Sequence, residues 1–155
     1  MNGSVATEEL ALEECWALLE RHTVGRLAVD IAGRPDIFPI NYVVDCDAIV
    51  FRSGAGTKLA GAVLNRHVAL EIDGYAPDQR VTWSVVVKGS ARELESMSDR
   101  YRAENLPLYP WVASDKPDFV RIDPYLVTGR RFRVSAEATP DDSIGWNGPG
   151  GEPPA

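Results

Sequence analysis

Residues 36–59, DIFPINYVVDCDAIVFRSGAGTKL, decide how the chain is read. In Asp36 to Val44, Phe38, Ile40, Tyr42 and Val44 share one face of an extended chain, and Ile37, Pro39, Asn41 and Val43 share the other. Asp45-Cys46-Asp47 is a tight turn, and Ala48 to Ser53 is the next strand. That strand runs into Gly54-Ala55-Gly56-Thr57-Lys58 and a short helix over 59–64. A helix start offers unpaired N–H groups and the positive end of the dipole, and glycines let backbone approach a ligand closely. With the Thr57 hydroxyl and the charges of Arg52 and Lys58, the segment reads as a phosphate seat. It is neither a P-loop nor a GxGxxG dinucleotide fingerprint, because one residue separates its two glycines and Leu59 stands where the third glycine of that fingerprint would fall. The same residues also fit a plain connector, with Thr57 as a helix cap and Lys58 in solvent.

Outward from this stretch the pattern stays extended. Val24 to Ile31 is a strand, turned back by Ala32-Gly33-Arg34-Pro35, and upstream Leu12, Cys15, Trp16 and Leu19 recur at helical spacing. Thr7 is the expected N-cap of that helix, with Glu8 and Glu9 in its first turn. Downstream, Val68 to Asp73 and Val81 to Ala91 are strands, with 74–80 as loop between them. Ser96 to Asn105 is helical. Phe119 to Ile122 and Tyr125 to Val134 are two more strands, broken by Asp123-Pro124. Six to seven hairpin-linked strands with a few helices predict a mainly β chain, an antiparallel barrel with peripheral helices. We divide it into an N-terminal extension over 1–9, one domain over 10–134 and an acidic Gly/Pro-rich tail over 135–155, expected to be flexible.

Composition narrows the function. A net charge of −7 argues against nucleic acid, whose binding depends on neutralising phosphates. Two local basic groupings stand out, Arg52 with Lys58 and Arg130 with Arg131 and Arg133, which suits a small anionic ligand. No apolar run approaches the roughly 20 residues of a membrane span, and the N-terminus has no secretory pattern. Cys15 and Cys46 stand far apart and suit a reducing cytoplasm, and His22 and His67 lack metal-ligand spacing, so no metal is expected.

The quoted motifs carry a resemblance. Asp36 to Tyr42, Phe51 to Lys58 and Trp83-Ser84-Val85-Val86-Val87-Lys88-Gly89 are similar to successive strands of the pyridoxamine 5′-phosphate oxidase-like proteins. So are Glu14 to Leu19 with Val24 to Ala28, and Val127-Thr128-Gly129-Arg130-Arg131. They resemble more closely the actinobacterial branch near the nitroimidazole-resistance proteins and the flavin/deazaflavin oxidoreductases, and the resemblance covers about residues 10 to 134. It implies an FMN-binding split barrel, a homodimer with cofactor sites at the interface and a small-molecule substrate. Ile40 and Asn41 would line the flavin ring edge, partly by backbone groups. Arg52, Ser53, Gly56, Thr57 and Lys58 would hold the phosphate. Trp83 and Ser84 would approach from a neighbouring strand, and Arg130 from the last strand, across the dimer. No catalytic residue is singled out, since in flavin chemistry the cofactor transfers the electrons. The substrate residues near the C-terminus of pyridoxamine phosphate oxidases have no match here, so the resemblance does not extend to vitamin B6 oxidation. It leaves three functions open: an FMN-dependent reductase of a small planar compound, a reductase using the deazaflavin coenzyme F-420, and a flavin- or haem-binding module without turnover. Tyr109 and Trp111 are candidates for a substrate wall, and Trp146 for a group that docks on the body.

Overall fold

A computed structural model describes residues 7–54, 63, 66–108 and 117–134. Seven strands and two helices follow in the order β1 (Thr7–Glu9), α1 (Leu12–Arg21), β2 (Val24–Ile31), β3 (Arg34–Val44), β4 (Ile49–Gly54), β5 (Arg66–Ala76), β6 (Val81–Glu93), α2 (Met97–Glu104) and β7 (Pro117–Arg133). The sheet order is β1-β7-β4-β3-β2-β5-β6, and β6 pairs with β7 as well. That extra pairing closes β2 to β7 into an antiparallel barrel and leaves β1 outside it on β7. The expected fold class holds.

Local chemistry explains the turns. Ala32 and Gly33 both adopt positive φ, 53° and 78°, as a two-residue hairpin turn of the primed type requires. Asp30 accepts the Gly33 N–H at 2.7 Å and fixes that turn. Between β3 and β4, Asp45 and Ala48 exchange backbone hydrogen bonds of 2.9 and 3.1 Å around Cys46 and Asp47.

Alternation along the strands sends Leu27, Val29, Ile40, Tyr42, Ile49, Phe51, Leu70, Ile72, Val85 and Val87 into one buried cluster, the barrel core. Helix α1 closes this core with Cys15 and Leu19. Gly129 makes the closure possible, since a Cβ there would lie 2.6 Å from the Cys15 sulfur. Burial pushes the Cys15 thiol above its ordinary pKa, which fits a packing role. A second, smaller cluster forms on the outside of the sheet, where α2 with Leu94 and Leu108 covers Val50 and Phe119. Ser96 caps α2 by accepting from the Asp99 N–H at 3.1 Å.

Three expectations are corrected. Thr7 does not cap α1: it pairs with Phe132 in β1, Leu10 donates to the Gly129 carbonyl at 2.9 Å, and the helix starts only after Ala11. Burying Leu10 keeps this entry extended, and helical signals in Glu8 and Glu9 yield to that pairing. Asp123-Pro124 does not break the last strand: Gly89 pairs with Pro124 and Lys88 with Leu126, so Tyr125 is one extra residue on β7, and this bulge absorbs the irregularity. Strand β5 also runs past Asp73 to Ala76. Of the expected helix over 59–64 only Val63 is described, buried in the barrel core. The tail over 135–155, with Trp146, lies outside the described residues, as do Tyr109 and Trp111.

Candidate functional site

The sheet register arranges the polar candidates on the outer face. Tyr42 pairs with Phe51, both buried in the core, so the adjacent Asn41 and Arg52 point outward from β3 and β4. Arg52 pairs with Phe119 on β7, and its guanidinium carbon lies 5.5 Å from the centre of that ring. Its Nε is buried and has no hydrogen-bond partner among the described residues. A buried donor left unmatched costs about 1–3 kcal/mol, so this atom is a standing demand for an acceptor. Two residues on, Gly54 ends the strand. Gly56, Thr57 and Lys58, the rest of the expected phosphate seat, lie outside the described residues. Ser53, next to Arg52, is 4% exposed and alternates to the inner face, so the two side chains leave β4 on opposite sides. Ile40 is likewise buried in the core, which leaves only its backbone to meet a ligand on the outside.

A second group gathers at the far end of β7. Ser84 on β6 pairs with Asp73 on β5 and with Arg130 on β7, and Arg130 pairs in turn with Glu9 on β1. Arg130 is exposed and Ser84 half-buried. Trp83, one residue earlier, points the other way. Its ring lies over Gly74, where a Cβ would come within 2.6 Å of it, and packs on the barrel core. His22 sits against Trp83 with ring centres 4.9 Å apart. The His22 Nδ1 lies 2.7 Å from the Leu18 carbonyl, which can only accept, so the proton is on that nitrogen. Trp83 thus helps plug the barrel mouth, and Ser84 and Arg130 form the outward part of this group.

Beside Ser84 lies a cluster that sequence patterning did not reveal. Arg26 on β2 reaches across to β5 and donates to Glu71 at 2.7 Å and to Asp73 at 3.2 Å. Burial, and then the charge of Asp73, raises the Glu71 pKa above its ordinary value against the pull of Arg26. Burial opposes the charge on Arg26, but Asp73 and Glu71 outweigh it and raise its pKa. Glu71 and Asp73 do occupy the polar face expected for them; Arg26 was invisible because β2 and β5 pair across 45 residues of chain.

The two groups are far apart in one chain. Arg130 follows Phe119, the partner of Arg52, by eleven residues of β7, so the two groups lie toward opposite ends of that strand. Elsewhere, Asp45, Arg92, Arg102 and Arg121 line a cleft of about 50 Å³, room for water and not for a cofactor ring. Among the described residues no group of side chains could hold a metal ion, and no helix is long and apolar enough to cross a membrane.

Known proteins share this architecture. A FAD binding protein from Mycobacterium smegmatis superposes with a TM-score of 0.75 at 38% identity, over 83% of this chain and all (100%) of that one. A conserved protein of unknown function from Corynebacterium diphtheriae does so with a TM-score of 0.69 at 33% identity, over 81% and 98%. The uncharacterized protein Rv0080 of Mycobacterium tuberculosis is 34% identical over 137 residues, 85% of this chain and 89% of its own. Residues 11–131 match the model of the pyridoxamine 5′-phosphate oxidase family. With that match over most of its length, and the order of motifs that carried the resemblance, the chain belongs to the pyridoxamine 5′-phosphate oxidase family.

Proposed function

We propose that the protein binds a flavin nucleotide on the outer face of the barrel and uses it as an oxidoreductase of a small planar substrate. The observation that carries this reading is the buried Arg52 Nε without a partner among the described residues, on the strand that leads into Gly54 and the Thr57-Lys58 pair. A phosphate oxygen there would satisfy the donor with a charge-assisted hydrogen bond. FMN is the cofactor expected from the sequence, and the M. smegmatis relative is described as binding FAD. Both carry riboflavin 5′-phosphate, and that shared part is what Arg52 would hold.

The placement of the Arg52 and Arg130 groups toward opposite ends of β7 favours a homodimer, in which Arg130 and Ser84 of one subunit complete the site begun at Arg52 of the other. When bound, the flavin supplies electron transfer between donor and substrate. The chain's own residues do the rest. Arg52 binds and orients the phosphate, and Asn41 sits beside it on the same face. Phe119 shields the guanidinium from water on one side.

The test is the absorption spectrum of the purified protein, as isolated and during titration with FMN and with FAD, alongside its mass in solution. A bound flavin spectrum on a dimer supports the reading, and the tighter of the two ligands identifies the cofactor. A haem band, or uptake of the deazaflavin coenzyme with neither flavin bound, overturns it.

A further inference from the structure

The Ser84–Arg130 half of the proposed site stands in an unfavourable electrostatic setting for an anion. Asp73 is the register neighbour of Ser84, and Glu9 is the register neighbour of Arg130. Glu71 lies two residues from Asp73 on the same outward face of β5. Neighbouring strands are about 4.8 Å apart, so Asp73 sits about 10 Å from Arg130 across β6. At that range two unit charges at a protein surface interact by enough to change an affinity several-fold at low salt. Left alone, the two β5 carboxylates would offset the attraction of Arg130 for a phosphate.

Arg26 changes this balance. It alone among the described cations is within ion-pair distance of Glu71, at 2.7 Å, and of Asp73, at 3.2 Å, so one guanidinium serves both acids. Its side chain is 50% exposed, and exposed pairs of this kind contribute little to folding, from nothing to about 1 kcal/mol. A bridge that does little for stability, placed beside the one outward serine–arginine pair that the family pattern singles out, has an electrostatic role open to it. We infer that Arg26 is a positioning residue for cofactor binding, which pins Glu71 and Asp73 together and offsets one of their two negative charges so that the Ser84–Arg130 row stays attractive to a flavin phosphate. This rests on the flavin reading above and adds to it a residue that touches no ligand.

Titrations with FMN and with riboflavin, which lacks the phosphate, test it, using the full chain and Arg26→Gln at low and high salt. Arg26→Gln is expected to weaken FMN binding about five- to tenfold at low ionic strength. The loss should shrink as salt screens the carboxylates, and riboflavin binding should hardly change. Adding Glu71→Gln and Asp73→Asn to Arg26→Gln should restore FMN affinity. Equal losses for FMN and riboflavin, or no recovery in the triple variant, overturn the inference, because a disturbed strand would produce that result. FMN affinity equal to the parent's also overturns it while leaving the flavin reading intact. A parent protein that binds no flavin brings down both.

Discussion

Phe51 and Arg52 are adjacent on one strand and obey different rules. Phe51 is fully buried in the barrel core, where side chains from the surrounding strands and α1 meet its needs. Arg52 faces out, touches the Phe119 ring, and keeps a buried donor that nothing among the described residues satisfies. The difference extends to the whole sheet. Inside, the buried Tyr42 hydroxyl is matched, since it donates to the Leu19 carbonyl at 2.8 Å. Outside, charges are shared, split or left open. The inner face is therefore where stability resides, and the outer face is where a ligand can still gain something.

The largest expected effect would come from disturbing the closure of the barrel. At Gly89 a Cβ would lie 2.5 Å from the Asp123 carbonyl oxygen, and backbone cannot swing aside as a side chain does. Gly89→Ala should cost about 3 kcal/mol or more in urea unfolding, since the β6–β7 seam must shift to admit it. A loss well under 1 kcal/mol would mean that this seam is slack and that the inner face does not carry the fold.

Next comes the reverse case, an outer change felt by a ligand and not by the fold. Arg52→Met keeps the length of the side chain and removes the charge and the buried donor together. Flavin affinity should drop at least tenfold, about 1.4 kcal/mol, while the melting temperature stays level or rises as the unmatched donor is lost. A large fall in melting temperature with unchanged flavin binding would invert the comparison.

How much of this was legible in the sequence follows the same division. The hairpin of β2 and β3 could be read because its period of two and its Ala32-Gly33 turn are local signals. The strand at Thr7–Glu9 could not, because it exists only by pairing with Phe132 to Arg130 at the other end of the chain. Asp123-Pro124 looked like a break because the pairing that carries β7 through its bulge at Tyr125 comes from β6, about 35 residues earlier in the chain. Arg52 could be found from the glycines, Thr57 and Lys58 that follow it. That Arg52 and Ser53, or Trp83 and Ser84, point to opposite faces follows from strand alternation alone and limits which of each pair can meet an outside ligand. Arg26 needed the β2–β5 register, which no local pattern encodes.

Tyr42→Phe sharpens the comparison from within. It removes one neutral hydrogen bond without changing shape, and leaves the Leu19 carbonyl at the end of α1 without that donor. The expected cost is about 1 kcal/mol in urea unfolding, with flavin binding unchanged. Burial also holds the Tyr42 hydroxyl well above its ordinary pKa, so it remains a donor throughout the neutral range. A cost near zero would show that α1 can shift to water for this bond and is a looser lid than its packing suggests.

The smallest effects belong to the outer carboxylates, and two of them should act with opposite sign. Burial would raise the Asp123 pKa, but hydrogen bonds from Arg92 at 2.8 Å and Arg121 at 3.0 Å, with their charges, hold it below the ordinary carboxylate value. Its contribution to stability is therefore present above the unfolded value, about pH 4, and is lost as pH falls through the lower folded value. Glu71 is shifted upward, chiefly by burial, so its contribution is present below the unfolded value and is lost as pH rises through the folded one. Asp123→Asn should flatten the acid-side loss of stability between pH 7 and pH 3, and Glu71→Gln should raise stability at pH 7 relative to pH 4. Asp123 is 47% exposed and solvent screens both groups, so each change should stay below about 1 kcal/mol in urea midpoints measured across pH. Shifts of the same sign in both variants would show that net charge, and not the local pairing on the outer face, sets how the fold responds to acid.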